Sequence, residues 1–550
     1  MKLQLLSVAL ISAMLFACNS GTNNKQTPDT SDSNEAKVEE KKISKRDFSV
    51  TASNSYSTMF LDSVALETYL TDEKVDDRIA RRIRSFYNSR NYQFAWFSKD
   101  GLTEQALAFW NLHDYVTTYD RDTTLKDKAL QTRMDNLVFD EDFKPNPSDK
   151  SFNKTELNLT QHFIRYMLNN YEKGYVKRKE MERFVPIKKQ NALQLADSLL
   201  NKKHKDDKYF EDVNQPYKLL KGQLGKYYTV AKQGGWPVIT TSKKTLKKGQ
   251  SDAVVPTLKK RLQLSGDLSA ADTSQLFDDQ LEAGVKAFQS RMGYTQDGVI
   301  TASLIKDMNV PAEERLQQIL MNMERMRWMP EAEAGTQLIV VNLPEFVLHV
   351  YEGNKKAWDM NVVVGKEGHN TMIFRGDLNQ VVFSPYWNVP PSIVKNEILP
   401  AMARNSGYLD AQNMEQVGTE GGLPVIRQKP GPKNSLGQVK FLFPNSFNIY
   451  FHDTPAKSLF EKDRRAYSHG CIRLAEPQKM ADYLLQGESE WTPEKIKEAM
   501  NSGKEQTVKL DKSVPVLITY YTAWVDEQGK LNFRSDVYAH DKKLKEKMFL

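Results

Sequence analysis

Hydrophobic spacing changes character at Pro330, and this change limits the folds open to the chain. Upstream, apolar residues recur every three or four positions, the period of one helix face. Within 74–87 they are Val75, Ile79, Ile83 and Phe86, and 158–175, 193–200 and 313–328 also carry helical patterns. Downstream, β-branched and aromatic runs take over at 338–342, 346–351 and 358–365. Glu352-Gly353-Asn354-Lys355 supplies hairpin chemistry between the last two. Further strands are expected at 380–383, 439–443, 447–452 and 514–521. The fold class expected is multidomain α+β: helical domains, then a mainly β domain. At 550 residues the chain has room for several cores.

Punctuation subdivides it further. Gly234-Gly235 followed by Pro237 marks a boundary, after which 246–309 forms a compact unit of helical spacing. Between Trp387 and Val439 lies a Pro- and Gly-rich stretch of about 50 residues, far longer than ordinary connections. It is expected to carry a helix over 392–405 and a mobile loop around Gly421-Gly422 and Gly431, the place where an enzyme keeps a lid. His113, His162 and His204 are scattered through the helical part without visible partners and read as packing or surface residues.

The two cysteines divide the chain's chemistry between them. Met1-Lys2 is followed by an apolar stretch over 5–17, short of the roughly 20 residues that span a bilayer as a helix. It fits a secretory signal, and Cys18 stands where a lipoprotein signal places its acylated cysteine; an ordinary signal peptide is the alternative. Residues 1–17 are thus expected to be a lipoprotein signal peptide, and 18–47, nearly free of large apolar residues, a lipidated tether. The expected location is the periplasmic side of a Gram-negative-type envelope, anchored in a membrane. Charges are interspersed and sum to only +7, so nothing marks a nucleic-acid surface. A mildly basic surface would suit an anionic polymer, and solubility accounts for it equally.

Cys471, in Tyr467-Ser468-His469-Gly470-Cys471-Ile472-Arg473, is then a lone thiol in an oxidising compartment. A buried, inert core thiol is one reading and a nucleophile the other. A nucleophile needs a base, and His452, at the end of an expected strand, could take that role and lower the thiol pKa by its charge. His469 would share a face with Cys471 in an extended segment, or support the loop in a turn. Gly470 removes bulk beside the thiol, and the N–H groups of Gly470 and Cys471 could bind an oxyanion. Arg473 offers a fork for a substrate carboxylate. Zinc held by His452, His469 and Cys471 is the rival chemistry, disfavoured because structural zinc takes four ligands and no acidic partner has suitable spacing.

Phe451-His452-Asp453-Thr454-Pro455 and Ser468-His469-Gly470-Cys471-Ile472-Arg473-Leu474 together resemble the signature of the L,D-transpeptidase (YkuD-type) family. Ser384-Pro385-Tyr386-Trp387-Asn388-Val389-Pro390-Pro391, the run Met323 to Pro330, Gly431 to Gly437 and Tyr520 to Val525 are similar to its large YcbB-like (LdtD-like) branch. The unit at 246–309, with Val255, Leu258, Phe288-Gln289 and Asp297-Gly298-Val299, resembles a three-helix peptidoglycan-binding domain. The resemblance implies a helical scaffold over 48–240, a peptidoglycan-binding-like domain over 241–310 and a linking helix over 311–335. It further implies a catalytic domain over 336–541 with a capping insertion at 387–439; a basic tail would fill 542–550. It implies 3→3 cross-linking of stem peptides: Cys471 forms a thioester and releases D-Ala, His452 serves as base and then acid, and Gly470 supports the oxyanion. His469 would be supporting, and Arg473, Ser468, Tyr450, Trp387 and Asn388 would touch substrate. No cofactor or metal is called for. Peptidoglycan and, through Cys18, a membrane are the expected partners, with other cell-wall enzymes conceivable. An L,D-carboxypeptidase using water, or a wall-binding lipoprotein without turnover, are the alternatives.

Overall fold

A computed structural model describes residues 42–119, 123–139, 143–171, 184–201, 215–328, 337–353 and 355–550. The expected signal peptide, Cys18, most of the tether and His204 lie outside them.

The helical periodicity before Pro330 builds two cores. In the scaffold, helices Ser63–Asp72, Asp77–Ser89, Glu104–Tyr119, Lys128–Phe139 and Lys150–Tyr171 enclose a core rich in aromatic residues, including Phe86, Trp96, Phe109 and Phe163. Asp76 begins the second helix by accepting from the N–H groups of Arg78 and Ile79, so Ile79, Ile83 and Phe86 face inward as their spacing requires. The buried carboxylate of Glu156 accepts from the N–H groups of Ala95 and Trp96 and from the Tyr87 hydroxyl. Burial pushes its pKa up to about 7. His113 and His162 are not scattered. They are buried with ring nitrogens 3.0 Å apart, His113 stacks on Trp110, and His162 lies 3.7 Å from Asp127. Burial pushes both down to about 4, which keeps the pair uncharged near neutrality.

The second core begins with the unit after Gly235. Helices Val255–Ser265, Asp279–Met292 and Ala302–Met308 bury Leu258, Leu262, Val285 and Phe288. Its sequence signatures hold one another. Gln289 Nε2 donates to Asp297 Oδ1 at 2.7 Å and to Val299 O at 3.1 Å, while Gln289 Oε1 accepts from Gly298 N–H at 2.9 Å. This core continues into helices Gln215–Lys232 and Ala312–Met326 and the strand pair Ala523–Val525 and Leu531–Phe533. The unit is therefore packed into the molecule, with Arg291 Nη1 donating to Leu531 O at 2.9 Å.

Downstream, nine strands make one sheet: β1 Gln337–Asn342, β2 Val347–Glu352, β3 Lys355–Gly365, β4 Phe374–Phe383, β5 Val439–Leu442, β6 Phe451–His452, β7 Ala466–Ser468, β8 Ile472–Leu474 and β9 Gln506–Thr519. The order is β7-β3-β8-β6-β5-β4-β9-β1-β2, and β2 also pairs with β3, so the sheet closes on itself around a core containing Val341, Leu348, Val381, Phe441 and Val516. The expected strand at 447–452 shrinks to Phe451–His452. Asn445 Oδ1 instead accepts from the N–H groups of Phe447 and Ile449, and Asn448 has φ +54°, outside the strand region.

The insertion is more ordered than the loop its glycines suggest. Helical turns run from Pro391–Ile393 through the wider turn Val394–Ile398 to Leu399–Arg404. Met414–Glu420 and Leu423–Gln428 form a hairpin turning at Gly421-Gly422, and its second strand pairs with Trp387–Asn388. Val389, Val394, Ile398, Met414 and Ile426 give this cap its own small core.

Residues 542–550, expected to be a basic tail, belong mostly to the helix His540–Met548, which buries Leu544 and Met548, with Phe549 buried just beyond its end. Leu544 and Met548, four apart among the lysines, share its buried face. Arg325 on the linking helix is ion-paired with Glu104 of the scaffold and, at 2.5 Å, with Asp541 of this last helix. Asp541 also accepts from Thr522 Oγ1 at 2.6 Å. One buried guanidinium thus joins three parts of the molecule. Arg325→Met would leave two carboxylates without their counter-charge, and a loss of about 3–5 kcal/mol is expected, read as a lower urea midpoint.

Candidate active site

The parallel pairing of β6 with β8 sets the site. Phe451 lies beside Ile472 and His452 beside Arg473. Successive strand side chains alternate in direction. Phe451, Ile472 and Leu474 are fully buried in the core, which turns Tyr450, His452, Cys471 and Arg473 to the opposite face. Four polar side chains thereby share one surface.

His452 is 4% exposed, and its Nδ1 donates to Asp453 O at 2.5 Å. That bond fixes the tautomer and leaves the Nε2 lone pair free. Burial, then the charge of Arg473, pushes its pKa down to about 3, so the imidazole is neutral and able to accept a proton. Asp453 is held in turn: its carboxylate accepts from Gln438 N–H at 2.9 Å and pairs with Lys457.

Cys471 is half-buried, and its Sγ donates to Asn448 O at 3.7 Å, a long contact. Burial raises its pKa, while hydrogen bonding from Tyr450 and the charge of Arg473 oppose the rise. The expected lowering of the thiol pKa by a charged histidine is therefore absent at rest, because burial keeps His452 neutral. Arg473 carries a buried Nε without a hydrogen-bond partner, and burial lowers its pKa. A cation in that state is suited to meet a carboxylate.

The turn leading into Cys471 is tightly tied. Gly470 N–H donates to Ser468 Oγ at 3.1 Å, and that hydroxyl donates to Cys471 O at 2.5 Å. Ser468 therefore shapes the turn, and the Gly470 N–H is already engaged, whereas Cys471 N–H has no acceptor among the described residues. Glycine at 470 answers conformation rather than bulk: φ is +117°, and an added Cβ would find its nearest neighbour at 3.9 Å. Thr371, unremarked in the sequence, accepts from Gly365 N–H at 2.9 Å and donates to Gly470 O at 2.7 Å. Tyr538 donates to Gly365 O at 2.7 Å. Gly365 admits no side chain, since a Cβ there would lie 2.0 Å from His369 O.

His469 lies in the turn after β7 rather than in an extended segment with Cys471. Its Nε2 lies 3.0 Å from Glu397 in the cap and its ring 4.9 Å from that of His369, so it links this turn to the cap. Among the described residues no three histidine, cysteine or acidic side chains are placed to hold a metal ion. Trp387 and Asn388 sit at the root of the cap, paired with Gln428 and Arg427, Trp387 packing on the cap core and Asn388 exposed. Asn434 closes that root, its Nδ2 donating to the carbonyls of Pro385 and Lys429, both at 3.0 Å.

With this geometry in view, three regions of the chain match known families. Residues 336–500 match the L,D-transpeptidase catalytic domain (YkuD), 81–224 a scaffold domain, and 251–308 the family described as "Putative peptidoglycan binding domain". The chain thus contains a YkuD L,D-transpeptidase catalytic domain together with a peptidoglycan-binding domain. A Haemophilus influenzae protein named "Putative L,D-transpeptidase" is 30% identical over 244 residues, covering 42% of this chain and 49% of that protein. The match thus spans about half the length of that relative. Among solved structures, an L,D-transpeptidase from Xylanimonas cellulosilytica is 13% identical, covering 51% of this chain and 100% of its own, with a TM-score of 0.16. L,D-transpeptidase 1 of Mycobacterium tuberculosis is 12% identical, covering 34% of this chain and 61% of its own, with a TM-score of 0.16.

Two outcomes test the site. Thr371→Val should leave Gly365 N–H and Gly470 C=O unpaired, at a cost of about 1–3 kcal/mol. It should lower both the melting midpoint and the alkylation rate of Cys471, while Thr371→Ser keeps both. Because the resting pair is thiol and neutral imidazole, alkylation of Cys471 by iodoacetamide should climb with pH past the ordinary thiol pKa of about 8.5. A plateau below neutral pH would instead reveal a preformed thiolate–imidazolium pair.

Proposed function

We propose that this chain is a peptidoglycan L,D-transpeptidase that joins stem peptides by 3→3 cross-links through a thioester on Cys471. The observation that carries this reading is the single face shared by a thiol, a neutral histidine with a free Nε2 and an arginine without a hydrogen bond at Nε. The catalytic-domain match over 336–500 and the peptidoglycan-binding match over 251–308 support the substrate class.

In this mechanism the thiol leaves Asn448 O and gives its proton to His452 Nε2. The thiolate attacks the carbonyl carbon of the third residue of a tetrapeptide stem, a diaminopimelate in the form we favour. Cys471 N–H faces the developing oxyanion, and Arg473 takes the carboxylate of the terminal D-Ala. The C–N bond breaks, His452 returns its proton to the departing D-Ala amine, and a thioester remains. The side-chain amine of a second stem then attacks, passing a proton to His452, and the C–S bond breaks as the thiol is restored. The cap, pinned through Glu397 to His469, restricts water that would otherwise hydrolyse the thioester.

The setting proposed for this chemistry is an exported lipoprotein, anchored through Cys18 on the periplasmic side. We also place the chain in the large YcbB-like branch, on the strength of its cap and scaffold.

Incubating the full chain in detergent with purified tetrapeptide muropeptides tests the proposal. Cross-linked dimers and free D-Ala are expected, and Cys471→Ala should abolish both. Tripeptide monomers alone would mean a carboxypeptidase, and untouched substrate would mean binding without turnover.

A further inference from the structure

The two parallel strands give the site a direction. Beyond Cys471, toward the strand C-termini, lie His452 and Arg473; before it lie Gly470 and Asn448. A cavity of about 1250 Å³ opens at this second end. It reaches Cys471 past Asn448 and His369 and runs between the scaffold helix Glu104–Tyr119 and β4 toward Lys543 and Lys547. Tyr450, His452 and Arg473 are not part of its lining. It exceeds the ~300–1,000 Å³ of sites for drug-sized molecules, so it has room for a peptide.

Acid–base chemistry decides what belongs there. One histidine must protonate the departing amine and later deprotonate the incoming one, so both amines occupy the His452 side in turn. The acyl group that remains on sulfur must extend to the other side. We infer that the interdomain cavity is the acyl-donor subsite: it takes the portion of an anionic stem peptide that stays bound as the thioester. This rests on the function proposed above and adds the scaffold helix to the substrate-binding surface.

The lining fits such a ligand. The Arg375 guanidinium stacks over the Tyr115 ring at 4.1 Å, and its buried Nε has no hydrogen-bond partner. Asn370 Oδ1, also on the lining residues, is likewise without one. Lys547, at the far end, donates to Ser98 Oγ at 2.9 Å. A stem peptide brings carboxylates for the cations. Asn111 Nδ2 bonds Ile373 O across the domain boundary, holding the helix at the cavity wall.

Ala108, half-buried on the scaffold helix and lining the cavity, gives a blocking test far from the thiol in sequence. In full-length Cys471→Ala protein, calorimetry should show stem tripeptide binding at least about tenfold more weakly when Ala108→Trp is added, about 1.4 kcal/mol. Arg375→Met, which adds no bulk, should also weaken binding. In the active chain both changes should slow D-Ala release from tetrapeptide while iodoacetamide alkylation of Cys471 stays at the parent rate. Unchanged tripeptide affinity with unchanged D-Ala release overturns the inference. So does normal D-Ala release with only the cross-linking step slowed, which would make the cavity an acceptor site. If the parent chain releases no D-Ala yet Ala108→Trp still weakens tripeptide binding, the subsite stands and the proposed reaction fails.

Discussion

The site depends on the register between two very short strands. Phe451–His452 and Ile472–Leu474 could not hold a geometry alone, and their pairing is fixed by what lies underneath. Phe451, Ile472 and Leu474 are fully buried, so a slip of one residue would expose them and drive His452 and Cys471 into the core. Neighbouring strands reinforce the choice, since β5 pairs with His452 and β3 with Arg473 and Leu474. The apolar inner face thus positions the polar outer one. Asp453 adds the final constraint: its N–H donates to Val439 O, its carbonyl accepts from His452 Nδ1–H, and its carboxylate accepts from Gln438 N–H.

Much of this was legible in the sequence because it is local. Helical spacing located the scaffold, unit and linking helices, and β-branched runs located most sheet strands, because burial of one face enforces a period. Cys471 and His452 stand out as candidates for a different reason: cysteine is rare here, and its neighbours are chemically distinctive. What sequence missed is long-range or made by single side chains. Thr371 is 99 positions from the carbonyl it holds, and His113 is 49 from His162. No periodicity announces such pairs. The strand expected at 447–452 is shorter in the structure because Asn445 bonds the backbone on both sides of Asn448, and a side-chain bond can replace a sheet ladder. The last helix looks like a basic tail in the sequence because its lysines obscure Leu544 and Met548, its buried face.

Electrostatics decide which charge states so buried a site favours. A preformed thiolate–imidazolium pair would place two charges in a region whose burial disfavours both, pushing the His452 pKa down and the Cys471 pKa up. Arg473, beside His452 across the strand pair, meanwhile carries a buried Nε without a hydrogen-bond partner. On the proposed function, a substrate carboxylate would satisfy it. Arg473 is the second cause, after burial, of the depressed His452 pKa. Cancelling its charge would therefore raise the basicity of His452 when substrate is present and leave it low when the site is empty. The same carboxylate would remove the charge that opposes the rise in the Cys471 pKa, so the thiol keeps its proton until the imidazole takes it. On that function, the thiolate would be generated against bound substrate rather than exposed to solvent.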